Sequence, residues 1–117
     1  MGLENLVCFF RKRIASSLER QSPRGGRFLE VGSGRGTLLG ELAQKGWDAT
    51  GTELCRHLAE ATKRQLGVKV YGVSNLETCS FESGYFDLIL CYYVFEHLLD
   101  PTETLIEIRR IIRPRVI

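Results

Sequence analysis

Three glycines on alternate positions, Gly32, Gly34 and Gly36, follow directly on the apolar run Phe28-Leu29-Glu30-Val31, and a carboxylate, Glu53, closes the next extended segment. Glycine lets a backbone approach a ligand closely while its N–H groups remain available as donors. A carboxylate at the end of a neighbouring strand can accept both hydroxyls of a ribose. Together these residues point to a nucleoside-binding turn. Position 37, where a G-x-G-x-x-G dinucleotide fingerprint needs its third glycine, holds Thr37, so the turn is of another kind. No lysine is supplied for phosphates, and the P-loop pattern is absent.

The elements that must position these residues can be read from periodicity. Leu6, Val7, Phe10, Ile14 and Leu18 have the rhythm of an amphipathic helix over residues 4 to 20, broken by Ser22-Pro23-Arg24-Gly25-Gly26. Phe28 to Val31 reads as the first strand. Thr37 to Lys45 reads as a helix with Leu38, Leu39, Leu42 and Ala43 inward, stopped by Gly46. A second strand over Asp48 to Glu53 leads to a helix over Leu54 to Leu66, with Leu54, Leu58 and Ala61 inward and Gly67 as its stop. Val68 to Tyr71 gives a third strand, and residues 72 to 84 a loop. Phe86 to Cys91 is nearly continuous in apolar character, as a parallel strand covered on both sides should be. A last helix opens at Asp100-Pro101-Thr102-Glu103, with Asp100 as cap, Pro101 at the first helical position, and Leu105, Ile108, Ile111 and Ile112 as its buried stripe. The order α-β-α-β-α-β-loop-β-α implies an α/β fold whose parallel sheet is built by right-handed crossovers.

Composition narrows the classes. The 117 residues amount to one domain, with 44% hydrophobic and 26% charged residues, as in a soluble globular protein. A formal charge of +2 implies no nucleic-acid partner, and the basic residues near the start (Arg11, Lys12, Arg13, Arg20, Arg24, Arg27) fit a solvated helix face. Cys8, Cys55, Cys79 and Cys91 lie far apart with no C-x-x-C pair, which argues against a metal site or a disulfide framework and for thiols in a reducing, cytoplasmic setting. The apolar patch Leu6 to Phe10 is too short to span a membrane, and its basic residues follow it, unlike a secretion signal.

Several motifs, in order, resemble a class I S-adenosylmethionine-dependent methyltransferase of the small-molecule type. Glu30-Val31-Gly32-Ser33-Gly34-Arg35-Gly36 is similar to that family's first motif and Gly51-Thr52-Glu53 to its acidic ribose motif. Phe86-Asp87-Leu88-Ile89, Glu96-His97-Leu98-Leu99-Asp100-Pro101 and Ile112-Arg113-Pro114 resemble its strand-four region. The likeness covers roughly residues 27 to 114. It implies a Rossmann-like three-layer sandwich with strand order 3-2-1-4, an N-terminal helix and linker over 1–26, and an S-adenosylmethionine-binding domain over 27–117. It also implies that Gly32, Ser33, Gly34 and Gly36 make room for the cofactor and that Glu30 helps hold its amino-acid end. Glu53 would bind the ribose, Asn75 and Leu76 would meet the adenine with Leu54 as neighbour, and Cys91 and Tyr92 would line the methionine end. His97 and Tyr92 are the candidate catalytic residues, with a backbone-satisfying role as the alternative for His97. Methyl transfer from a sulfonium needs positioning more than a strong base.

The family pattern continues after its final helix with two glycines and strands five to seven, whereas Pro114 is followed here by Arg115-Val116-Ile117. The expectation is therefore a truncated domain in which strand four is an edge, and an apolar free edge invites pairing with a second copy, there or through the final helix. The leading expectation is methyl transfer to a small-molecule acceptor. The alternatives are a non-catalytic binding or self-associating fragment and, further off, a nicotinamide dinucleotide domain.

Overall fold

A computed structural model describes residues 26–91 and 100–114. The expected helix over 4 to 20, and Tyr92, Tyr93 and His97, lie outside the described residues. The described chain runs β1 (Arg27–Val31), α1 (Thr37–Gln44), β2 (Asp48–Glu53), α2 (Arg56–Leu66), β3 (Lys69–Gly72), a 3₁₀ turn (Leu76–Cys79), β4 (Leu88–Cys91) and α3 (Pro101–Ile111). The four strands form one sheet in the order β3-β2-β1-β4, with every pairing parallel. Register places Val31 beside Thr52 on one side and Cys91 on the other, so the carboxyl ends of β1, β2 and β4 lie level.

Alternation along the strands divides the interior in two. On the α1/α2 face, Phe28, Ala49 and Val70 pack with Leu38, Leu39, Leu42, Trp47 and Ala59. The Phe28 and Trp47 rings meet edge-on at 6.2 Å. On the opposite face, Leu29 and Val31 pack with Leu76, Phe86 and Ile111. There Phe81 and Tyr85 each stand edge-on to Phe86 at 4.9 Å.

Several elements differ from their sequence reading, β3 by one residue, since it runs Lys69–Gly72 rather than Val68 to Tyr71. The second helix starts at Arg56, two residues later than the periodicity predicts, and buries Ala59 and Thr62 while Leu54 and Ala61 are exposed. In α3 the buried residues are Thr104, Glu107 and Ile111, whereas Leu105 is 53% exposed. Glu107 can be buried because Arg110 grips it with two bonds, Nε to Oε1 at 2.6 Å and Nη2 to Oε2 at 2.9 Å. The same guanidinium donates to the Phe81 carbonyl at 2.6 Å and the Ser83 hydroxyl at 3.0 Å, which ties the loop before β4 to the helix. Finally, β4 begins at Leu88 rather than Phe86, because Phe86 forms an isolated parallel bridge to Ile112. The Asp100 cap is as expected, its Oδ1 accepting from the Glu103 N–H at 3.1 Å with Pro101 next in the first turn. Among the described residues β4 is the outer strand, and all four of its residues are half-buried.

Candidate functional site

The glycine turn leaves β1 at its carboxyl end and is tied to the neighbouring strand. The N–H groups of Gly32 and Ser33 both donate to the Thr52 carbonyl, at 2.9 and 2.8 Å. Gly36 N–H closes the turn onto the Ser33 carbonyl at 2.9 Å, and α1 starts at the next residue. None of the turn's own bonds uses the N–H of Gly34 or Arg35. Two positions require glycine for different reasons. Gly34 has φ 57° with open space where a side chain would project, as suits a backbone that faces a ligand. Gly36 has φ 76°, and a Cβ there would lie 2.5 Å from the Thr62 methyl and 2.8 Å from Leu66. The first glycine is open toward the site, and the second is closed against α2.

Glu53 ends β2 one residue beyond Thr52, so the carbonyl that anchors the turn and the candidate ribose carboxylate are adjacent in the chain. Its Oε2 accepts from the Cys55 N–H at 2.7 Å, while the Val73 N–H donates to its backbone carbonyl at 3.1 Å. The carboxylate is thereby held at the head of α2 with one oxygen engaged by backbone. Glu30 is buried within β1, and Ser33 is buried beside Gly51, where any Cβ would come within 2.7 Å of the Ser33 hydroxyl oxygen. That hydroxyl has no hydrogen-bond partner among the described residues.

The loop after β3 brings Asn75 to the same rim. Asn75 is exposed, and its side chain makes no capping bond to the 3₁₀ turn it precedes. Leu76 turns the other way, into the second core with Leu29, Val31 and Phe86. Leu54 is 67% exposed just past Glu53. Cys91 stands beside Val31 at the end of β4, and burial pushes its thiol up to about 11. The described members of the sequence-predicted set thus come to one rim, except that the Leu76 side chain belongs to the core. A cavity of about 180 Å³ bounded by Thr50, Lys69, Tyr71, Cys79 and Phe81 lies toward the amino ends of β2 and β3, away from this rim.

Thr62 escapes the sequence reading, and Gly51, quoted there only as part of the ribose motif, has a packing role that the reading did not give it. Thr62, in the middle of α2, donates from Oγ1 to the Gly34 carbonyl at 3.3 Å, and Gly51 is small because Ser33 and Leu39 occupy the space above it. The only trace of the Thr62 role in the sequence is a polar residue at helical spacing from Ala59.

A family model for the methyltransferase domain matches residues 6–117. The chain belongs to that family. It is 32% identical over 100 residues to a ubiquinone biosynthesis O-methyltransferase of Xanthomonas axonopodis, a match covering 81% of this chain and 42% of that protein. The chain thus spans less than half the length of this curated relative. Among solved structures, a TehB-like S-adenosylmethionine-dependent methyltransferase from Corynebacterium glutamicum superposes with TM-score 0.71 at 25% identity, over 93% of this chain and 66% of that one. The 1,6-didemethyltoxoflavin N1-methyltransferase of Burkholderia thailandensis, solved with its substrate and S-adenosylhomocysteine, superposes with TM-score 0.71 at 20% identity, over 89% of this chain and 48% of that one. The methyltransferase fold here is the Rossmann-like class I type, whose cofactor is S-adenosylmethionine. The residues present fit it, with an open glycine backbone, a buried unpartnered hydroxyl in the turn, and an anchored carboxylate on one rim.

Proposed function

We propose that this chain binds S-adenosylmethionine at the rim formed by the glycine turn and Glu53, as the cofactor-holding part of a methyltransferase for a small-molecule acceptor. The observation that carries the reading is the Thr52 carbonyl, which accepts from both Gly32 and Ser33 and so holds the turn against the strand that ends in Glu53. Bound there, the cofactor supplies a methyl group activated by its sulfonium for in-line displacement. Gly32, Gly34 and Gly36 leave room for it, and the Gly34 N–H is placed to donate. Glu53 accepts the ribose hydroxyls with the oxygen that the Cys55 N–H leaves open. Asn75 and the exposed Leu54 flank the adenine, with the backbone of Leu76 behind them. Glu30 steadies the strand under the amino-acid end, and Cys91 and Tyr92 line the sulfonium end. Tyr92 and His97 are then the candidates to face the acceptor.

Calorimetric titration tests this reading. The parent chain is expected to bind S-adenosylhomocysteine and not NAD, and Glu53→Ala to weaken that binding at least about tenfold. A Glu53→Ala chain that bound as tightly as the parent would remove the ribose assignment.

The proposal extends to self-association and location. The half-buried outer strand β4, together with the exposed Leu105 and Ile106 on α3, supports pairing with a second copy. Light scattering is expected to report twice the chain mass at high concentration, and a strictly monomeric particle would contradict it. Cys55, Cys79 and Cys91 are all free thiols, which supports a cytoplasmic setting that fractionation of expressing cells would check. No helix among the described residues is long and apolar enough to cross a membrane.

A further inference from the structure

The glycine turn has a second support that comes from a helix. Thr62 lies in the middle of α2 and is only 2% exposed. A threonine hydroxyl inside a helix commonly bonds back to the carbonyl one turn earlier in its own helix. Here the Thr62 Oγ1 reaches across 28 residues of sequence to donate to the Gly34 carbonyl at 3.3 Å. Its methyl meanwhile sits where a Cβ on Gly36 would fall, at 2.5 Å. One side chain therefore touches two of the three glycines, holding one through its hydroxyl and filling the space beside the other with its methyl.

We infer that Thr62 is a positioning residue for the cofactor turn: α2, through this one side chain, sets the shape in which the turn receives its ligand. The inference rests on the cofactor reading given above for its binding consequence, but the ordering of the turn stands on geometry alone. With the Gly34 carbonyl held, its peptide plane is fixed, and so is the direction of the Arg35 N–H on the same plane. A turn already in its bound shape loses less conformational freedom when it binds.

Two variants separate hydroxyl from shape. Thr62→Val keeps the branched outline and removes the donor, whereas Thr62→Ser keeps the donor and removes the methyl. Amide hydrogen exchange on the unliganded chain is expected to quicken in Thr62→Val at Gly36, whose N–H closes the turn onto the Ser33 carbonyl. The β1 amides, which report global opening, should exchange as in the parent. S-adenosylhomocysteine affinity should fall about fivefold in Thr62→Val and return to within about twofold in Thr62→Ser. A Thr62→Val chain with parental exchange and affinity would overturn the proposal. So would a Thr62→Ser chain as impaired as Thr62→Val, which would show that the hydroxyl bond alone does not set the shape of the turn. A parent chain that bound no S-adenosylhomocysteine would overturn the cofactor reading instead, and the exchange experiment would still decide what Thr62 does to the turn.

Discussion

On one face of the sheet, α1 and α2 lie close over Phe28, Ala49 and Val70, with apolar side chains and close approaches at glycine between the elements. On the other face, the 3₁₀ turn and α3 cover Leu29, Val31 and Phe86 with aromatic edges, and charged pairs hold the pieces together. The first face contains Gly36 against Thr62 and Leu66, Gly40 against Leu66, and Gly51 against Ser33 and Leu39. The second contains Arg110 bridging Glu107, Ser83 and the Phe81 carbonyl, and Asp87 taking the Arg27 N–H at 2.9 Å and an Arg113 N–H at 3.3 Å. One is fixed by shape and the other by charge. The glycine turn belongs to the face fixed by shape, where Gly36 closes against Thr62 and Leu66 and the Gly34 carbonyl takes the Thr62 hydroxyl.

The largest effect should come from disturbing shape. Gly36→Val is expected to destabilise the chain by about 3 kcal/mol, because it combines a branched residue at φ 76° with a Cβ inside the contact distance of Thr62. Urea denaturation followed by Trp47 fluorescence measures this, and a midpoint within error of the parent would break the account of the first face.

A smaller and more selective effect should come from disturbing charge. Asp87 is held below the ordinary carboxylate range, first by the Arg27 N–H and then by Arg113, and Glu107 is lowered by its bonds to Arg110. Both pKa values are depressed in the folded state, so their stabilisation is present above the unfolded values, about 3.8 for Asp87 and about 4.5 for Glu107, and is lost as pH falls through the folded ones. Acidification from pH 6 should therefore dim the near-ultraviolet signal of Tyr71 and Tyr85 on the second face before it shifts the fluorescence of Trp47 on the first. Coincident transitions would show that the two faces are one cooperative unit and would erase the distinction.

The sequence discloses the first face more fully than the second. Leu38, Leu39 and Leu42 recur at helical spacing and are all buried, and β2 has the bounds that its pattern predicts. The glycine turn and the strand end at Glu53 are legible for the same reason, since glycines at alternate positions and a strand-ending carboxylate are local signals. Periodicity fails at α3 because it counts apolar residues. Glu107 is buried through a partner three residues away, and Leu105, scored as core, is left outside. In α2 the buried polar residue answers to a carbonyl in a distant turn, a relation that appears only once the chain is folded. Leu76 illustrates the reverse. It lies in the loop expected to meet the adenine, but its side chain completes the second core.

Cys91 carries a consequence for reactivity. With its thiol pushed up to about 11, roughly one molecule in ten thousand holds it ionised at neutral pH. Only the thiolate is a competent nucleophile. The sulfur at the end of β4 is therefore held almost wholly as the neutral thiol, and an electrophile that reached this strand end would meet no thiolate there.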